Sequence, residues 1–140
     1  MRAVLDVNVL IAALLSPRGA PAALIPAWQQ GQFELVVSPA LLAELERALA
    51  YPKLRQRIPQ ADAARFAEWL ALTATVVPDP SPPYALRSAD PDDDYLLALA
   101  ASASAILISG DAHLLDMAAT GLPIRSPAAL RADIEATGDR

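Results

Sequence analysis

Within Arg2-Ala3-Val4-Leu5-Asp6-Val7-Asn8-Val9, the run Arg2 to Leu5 is short and closes on the acid Asp6, and its reading decides the fold. Apart from the leading arginine it is apolar without alternation, as suits a strand buried on both faces. Asp6 either closes that strand at the edge of a sheet or caps a helix built from the apolar run Val9 to Leu15. Both roles remain open from the residues alone.

The same pattern recurs along the chain. Glu34 to Val37, Thr73 to Val77 and Ala105 to Ser109 are equally brief and apolar, and Pro123 to Ser126 is a candidate fifth strand. Between them, Ala20 to Gln30, Pro39 to Ala50, Gln60 to Leu72, Pro91 to Ser104 and Ala128 to Ala136 carry Leu and Ala at helical spacing behind good helix starts. Strand-helix alternation predicts an α/β fold, a parallel sheet between layers of helices. Right-handed crossovers then place ligands beyond the carboxyl ends of the strands. Pro78 to Pro83 holds four prolines in six residues and reads as an extended surface connection, so a single domain over residues 1–140 is expected.

Composition narrows the function classes. The chain is 54% hydrophobic, with 31 alanines among its 140 residues, enough to build a core without staples. The absence of cysteine excludes a disulfide framework and thiolate metal sites. No uninterrupted apolar run exceeds seven residues, against the roughly 20 that span a bilayer. Asp6 and Asn8 interrupt the first apolar stretch, and no small-residue cleavage pattern follows, so a cytoplasmic protein without membrane association is expected. The net charge of −5 argues against phosphate binding, yet Arg47, Lys53, Arg55, Arg57 and Arg65 lie within 19 positions, apart from the acids at 90 and 92–94. The charge is polarised along the chain.

Four acids fall where that architecture would bring them together. Asp6 follows the first strand. Glu44 lies on a helix capped by Ser38 and started by Pro39, bordering the stripe Leu41, Leu42, Leu45 and Leu49; alone it reads as a solvated flank or an ion pair with Arg47. Asp90-Pro91-Asp92-Asp93-Asp94 opens another helix, where capping and the helix dipole account for two or three of the acids but not for all. Asp93 is the expected ligand, with Asp92 and Asp94 as its competitors. Asp111 follows Ser109-Gly110, where glycine permits close approach of backbone or ligand, although a cap on a short helix fits it too. The single histidine, His113, cannot make a catalytic zinc site.

Carboxylates about 4 Å apart repel by roughly 4 kcal/mol at an effective dielectric of 20, so such a cluster binds protons or cations. A hard oxygen set without His or Cys selects Mg²⁺ or Mn²⁺. Those ions orient a phosphodiester and activate water, which is the chemistry of nucleases. Two of them would carry the net charge from −5 to −1, leaving Arg47, Lys53 and Arg55 available for phosphate contacts.

In this order and spacing, Val4-Leu5-Asp6-Val7-Asn8-Val9, Ser38-Pro39-Ala40-Leu41-Leu42-Ala43-Glu44-Leu45, the run from Asp90-Pro91-Asp92-Asp93 to Ala100, and Leu107-Ile108-Ser109-Gly110-Asp111-Ala112-His113 resemble the PIN-domain ribonucleases. The resemblance runs from Ala3 to about Ser126 and is strongest to the VapC-like toxins of bacterial toxin–antitoxin pairs. It implies a three-layer α/β/α fold with a parallel sheet of about five strands, and Mg²⁺- or Mn²⁺-dependent endonucleolytic cleavage of RNA. It also implies that Asp6, Glu44, Asp93 and Asp111 are the metal-binding acids, with Asn8 supporting the first and Ser109 organising the last. A homodimer and a small antitoxin protein are the implied partners. Two rivals stand beside it. A catalytically inactive module of the same fold would bind RNA or a partner. An α/β phosphatase would use Asp6 as nucleophile, but Lys53 is the chain's only lysine and no second aspartate stands two positions after Asp6.

Overall fold

Successive residues of a strand point to opposite faces of its sheet, so a strand buried at every position needs cover on both sides. Ala3, Val4 and Leu5 of β1 (Arg2–Leu5) and Leu35, Val36 and Val37 of β2 (Glu34–Val37) meet that condition. β3 (Thr75–Val76), β4 (Ile106–Ile108) and β5 (Ile124–Arg125) complete a five-stranded sheet of order β3-β2-β1-β4-β5, every neighbouring pair parallel. This is a computed structural model describing residues 1–138; Asp139 and Arg140, the end of the expected domain, lie outside the described residues. The expected fold class, a parallel sheet of five strands flanked by helices in three layers, is the one observed.

The helices are α1 (Val7–Leu15), α2 (Ala20–Gln29), α3 (Pro39–Leu49), α4 (Pro52–Arg55), α5 (Gln60–Thr73), α6 (Asp94–Ser102), α7 (Ala112–Asp116) and α8 (Pro127–Gly138). α3 shows how sequence sets an element. Ser38 accepts a hydrogen bond from the Leu41 amide at 3.2 Å, Pro39 fills the first turn, and Leu41, Leu45, Ala48 and Leu49 form the buried stripe. α1 packs on α2 and α3, α3 on α5, and α6 on β1 and β4. α6 is buried nearly all round, at Asp94, Leu96, Leu97, Leu99 and Ala100.

Three expectations about elements need correction. The third strand does not begin at Thr73: α5 runs through that residue, whose hydroxyl donates to the Trp69 carbonyl at 2.6 Å, leaving Thr75 and Val76 to pair with β2. The helix expected over Pro91 to Ser104 begins with a 3₁₀ turn at Pro91–Asp93 and ends at Ser102, before Ser104 takes a left-handed φ of 52°. α4 was absent from the expected set; Pro52 in its first turn is the signal that marks it.

β1 is the chain's first strand but sits in the middle of the sheet, with β2 on one side and β4 on the other. The connections therefore part in opposite directions from it, and a crevice opens beyond the carboxyl ends of β1 and β4. Asp6 follows β1 directly, and Ser109 follows β4.

Candidate active site

Asp6 is buried and serves as N-cap of α1, its Oδ1 accepting from the Asn8 backbone amide at 3.3 Å. Its own amide donates to the Ile108 carbonyl at 2.9 Å, tying it to β4 one residue past the strand. The Ser109 hydroxyl donates to Asp6 Oδ2 at 2.9 Å. Burial raises the pKa of the Asp6 carboxyl above its ordinary value; the hydrogen bonds from Ser109 and Asn8 partly offset this, and the negative charge of Asp111 adds to the rise. The expected support from Asn8 is thus delivered by its backbone, while its exposed side chain helps line the cleft.

Ser109 does more than organise the last acid. The same hydroxyl that donates to Asp6 accepts the Asp111 amide at 3.0 Å, so one fully buried oxygen joins the acids that follow β1 and β4. Asp111 in turn caps α7, accepting from the His113 amide at 2.8 Å. Gly110 does not have a left-handed φ, and a Cβ there would meet nothing within 4 Å, so the local backbone does not require glycine.

The acids at 90–94 divide by task. Asp90 caps the 3₁₀ turn, accepting from the Asp92 amide at 3.0 Å. Asp94 is buried and accepts from the Ser88 amide at 2.6 Å and the Ser88 hydroxyl at 3.1 Å, which occupies it in holding the preceding loop. Asp93 is half-buried and has its pKa pushed up to about 6, first by desolvation and then by the charges of Asp6, Asp90, Asp111 and Asp92. Its carboxyl shares a field with two acids that are distant in sequence.

Asp6, Asn8, Glu44 and Asp93 line one cleft of about 490 Å³ together with Arg47, Tyr51, Asp90, Asp92 and Tyr95. Glu44 is ion-paired with Arg47. Asp111 is not among the lining residues; it reaches the site through Ser109 and through its charge on Asp6 and Asp93. The basic residues do not converge as expected. Arg47 borders the cleft, but Arg55 lines a separate cavity of about 410 Å³ between α3 and α5, and Lys53 is exposed on α4 and lines neither. Sequence reasoning missed Tyr95, whose hydroxyl is driven far above its ordinary pKa by burial and by Asp6, Asp93 and Asp79. It stays a hydrogen-bond donor among carboxylates. An aromatic one helical step beyond the acid run was the available signal.

The donor set around the cleft is all oxygen, the choice of Mg²⁺ and Mn²⁺. Burial raises the carboxyls of Asp6 and Asp93 and the neighbouring acids add to the rise, and a cation would offset both. Among the described residues no three His, Cys, Asp or Glu side chains stand close enough, as placed, to hold a metal ion together. The residues fit such an ion in chemistry and field, with Glu44 turned to Arg47 instead.

Comparison with known proteins bears on the fold and the family. The chain is 26% identical over 117 residues to the uncharacterized protein MJ1680 of Methanocaldococcus jannaschii, a match covering 84% of this chain and 75% of that one. Its fold resembles PAE2754 from Pyrobaculum aerophilum, with a TM-score of 0.67 and 18% identity over 96% of this chain and 89% of that one. It also resembles VapBC2 from Rickettsia felis, solved bound to a DNA fragment from their promoter, at a TM-score of 0.59, 13% identity and coverage of 90% and 98%. FitAcB from Neisseria gonorrhoeae gives 0.57, 19% identity and coverage of 89% and 97%. A family model described as the PIN domain matches residues 2–113, from β1 through the turn after β4, and so takes in Asp6, Glu44, Asp93 and Asp111. The chain belongs to the PIN-domain family.

Proposed function

We propose that this chain is a metal-dependent endoribonuclease that hydrolyses RNA phosphodiester bonds, acting in the cytoplasm as the toxin of a toxin–antitoxin pair. The observation that carries the reading is one cleft walled by Asp6, Glu44 and Asp93, two of which also feel the charge of Asp111. These four acids would hold Mg²⁺ or Mn²⁺, which when bound lowers the pKa of water and neutralises charge on the phosphate and leaving oxygen.

The chain's own residues do the positioning. Ser109 fixes the orientation of Asp6 with one hydrogen bond and the backbone of Asp111 with another. Asp93, with its pKa near 6, sheds its proton as neutral pH is reached and completes the acid set. Arg47 holds Glu44 in the RNA-free cleft and turns its exposed guanidinium to a substrate phosphate when Glu44 is engaged elsewhere. Tyr95 keeps its proton and supplies a neutral donor at the cleft wall. In this reading the partners are RNA, a small antitoxin protein and a second copy of the chain. Likeness to VapBC2 and FitAcB supports the antitoxin.

One observation favours a second reading. With Glu44 paired to Arg47 and no ligand triad gathered among the described residues, a PIN-fold module that binds RNA or protein without cutting is consistent with the cleft. Cleavage separates the two. RNA incubated with the purified chain should be cut internally with Mn²⁺ or Mg²⁺, remain intact in chelator, and remain intact with Asp6→Asn at equal purity. Binding without metal-dependent cleavage identifies the module instead.

A further inference from the structure

Tyr51 is 59% exposed, yet it stands in the wall of the cleft. Aromatic side chains bury large areas and ordinarily recover that area in a core. Scattered exposed aromatics on convex surface need no explanation, but this one lies in a concavity that Arg47 and the acids also line. Among the described residues its hydroxyl has no hydrogen-bond partner and its ring meets no other ring. The backbone beneath it is nevertheless held firmly. The Tyr51 amide donates to Ala48 at 3.2 Å, and the Tyr51 carbonyl accepts from the Leu54 and Arg55 amides, both at 3.0 Å. Pro52 follows, and Tyr51 takes the extended backbone at φ −60°, ψ 137° that a residue before proline prefers. A rigid corner thus presents an unengaged aromatic face to the space where substrate would lie.

We propose that Tyr51 is a stacking platform for an unpaired nucleobase next to the phosphate that Arg47 meets. This deepens the nuclease reading and rests on it. Every base has a π-face, so the contact selects a splayed single-stranded nucleotide rather than a base sequence. A base held in a duplex stack cannot reach the ring. Single-strand grooves combine positive charge for the backbone with aromatic faces for the bases, and Arg47 and Tyr51 supply one of each at this cleft.

The test uses a short single-stranded oligoribonucleotide carrying 2-aminopurine, the same strand in duplex, and the full chain as wild type, Tyr51→Phe, Tyr51→Leu and Tyr51→Ala. Thermal melts check that each variant is folded. Wild type and Tyr51→Phe should quench the 2-aminopurine and bind the single strand alike. Tyr51→Leu and Tyr51→Ala should lose the quenching and bind roughly 5- to 150-fold more weakly, the range that stacking of one base supports. In cleavage the loss should fall on KM rather than kcat. Equal single-strand affinity and quenching in wild type and Tyr51→Ala overturns the platform while the nuclease reading stands. Absence of any RNA binding by wild type overturns both.

Discussion

Asp6, Glu44 and Asp111 each keep the modest role that local sequence offers, and each also belongs to the candidate site. Asp6 and Asp111 cap helices, and Glu44 pairs with Arg47. A cap uses one carboxylate oxygen, so capping and convergence do not compete. That is why the acids were legible individually while their meeting was legible only through the α/β alternation. The Ser109 bridge was hidden, because no local pattern tells which of two strand ends a buried hydroxyl will join. Ser109→Ala should leave Asp6 Oδ2 and the Asp111 amide without that partner and cost about 1–3 kcal/mol, read as a lowered denaturant midpoint at unchanged m. Asp93 gives a pH signature. Its folded pKa of about 6 lies above its ordinary 3.8, so between those values the folded state holds more proton than the unfolded one. Its contribution to stability is full below about pH 4 and is lost as pH rises through about 6. In metal-free protein Asp93→Asn should therefore gain stability over wild type as pH rises from about 4 to about 7; melts showing a constant difference across that range would count against the shared field.

At the scale of elements, α3 was readable because its cap, its proline and its stripe all agree. Leu45 lies at the centre of that stripe and is fully buried, so Leu45→Ala should cost about 2–5 kcal/mol. Leu72, 77% exposed on α5, should tolerate the same change within about 0.5 kcal/mol. Urea titrations of the two variants decide this. β3 was read too long because Thr73 has a β-branched side chain, and nothing local shows that its hydroxyl will bond back to Trp69 and prolong α5. The Asp90–Asp94 run was legible as a helix start. Which acid turns to the cleft was not, since the answer depends on the 3₁₀ turn and on Ser88 claiming Asp94.

For the molecule as a whole, the order β3-β2-β1-β4-β5 puts the first strand at the centre, and the cleft follows from that placement. The alternation of strands and helices predicts a parallel sheet; the position of β5 and the brevity of β3 are matters of tertiary pairing. The basic stretch shows the limit of one-dimensional charge patterns. Arg47, Lys53 and Arg55 are neighbours in sequence, but the end of α3 and the corner before α4 send them to different surfaces, and only Arg47 borders the acids. The net charge of −5 is therefore offset in the cleft by one guanidinium and, in the proposed function, by divalent ions. Calorimetric titration of Mn²⁺ into metal-free protein near pH 7.5, for wild type and for Asp6→Asn, Glu44→Gln, Asp93→Asn and Asp111→Asn, tests most directly that these acids act on one cation. The account predicts saturable binding by wild type that weakens at least about tenfold in each variant, equivalent to about 1.4 kcal/mol. Binding that is absent in wild type, or unchanged by the four substitutions, would contradict it.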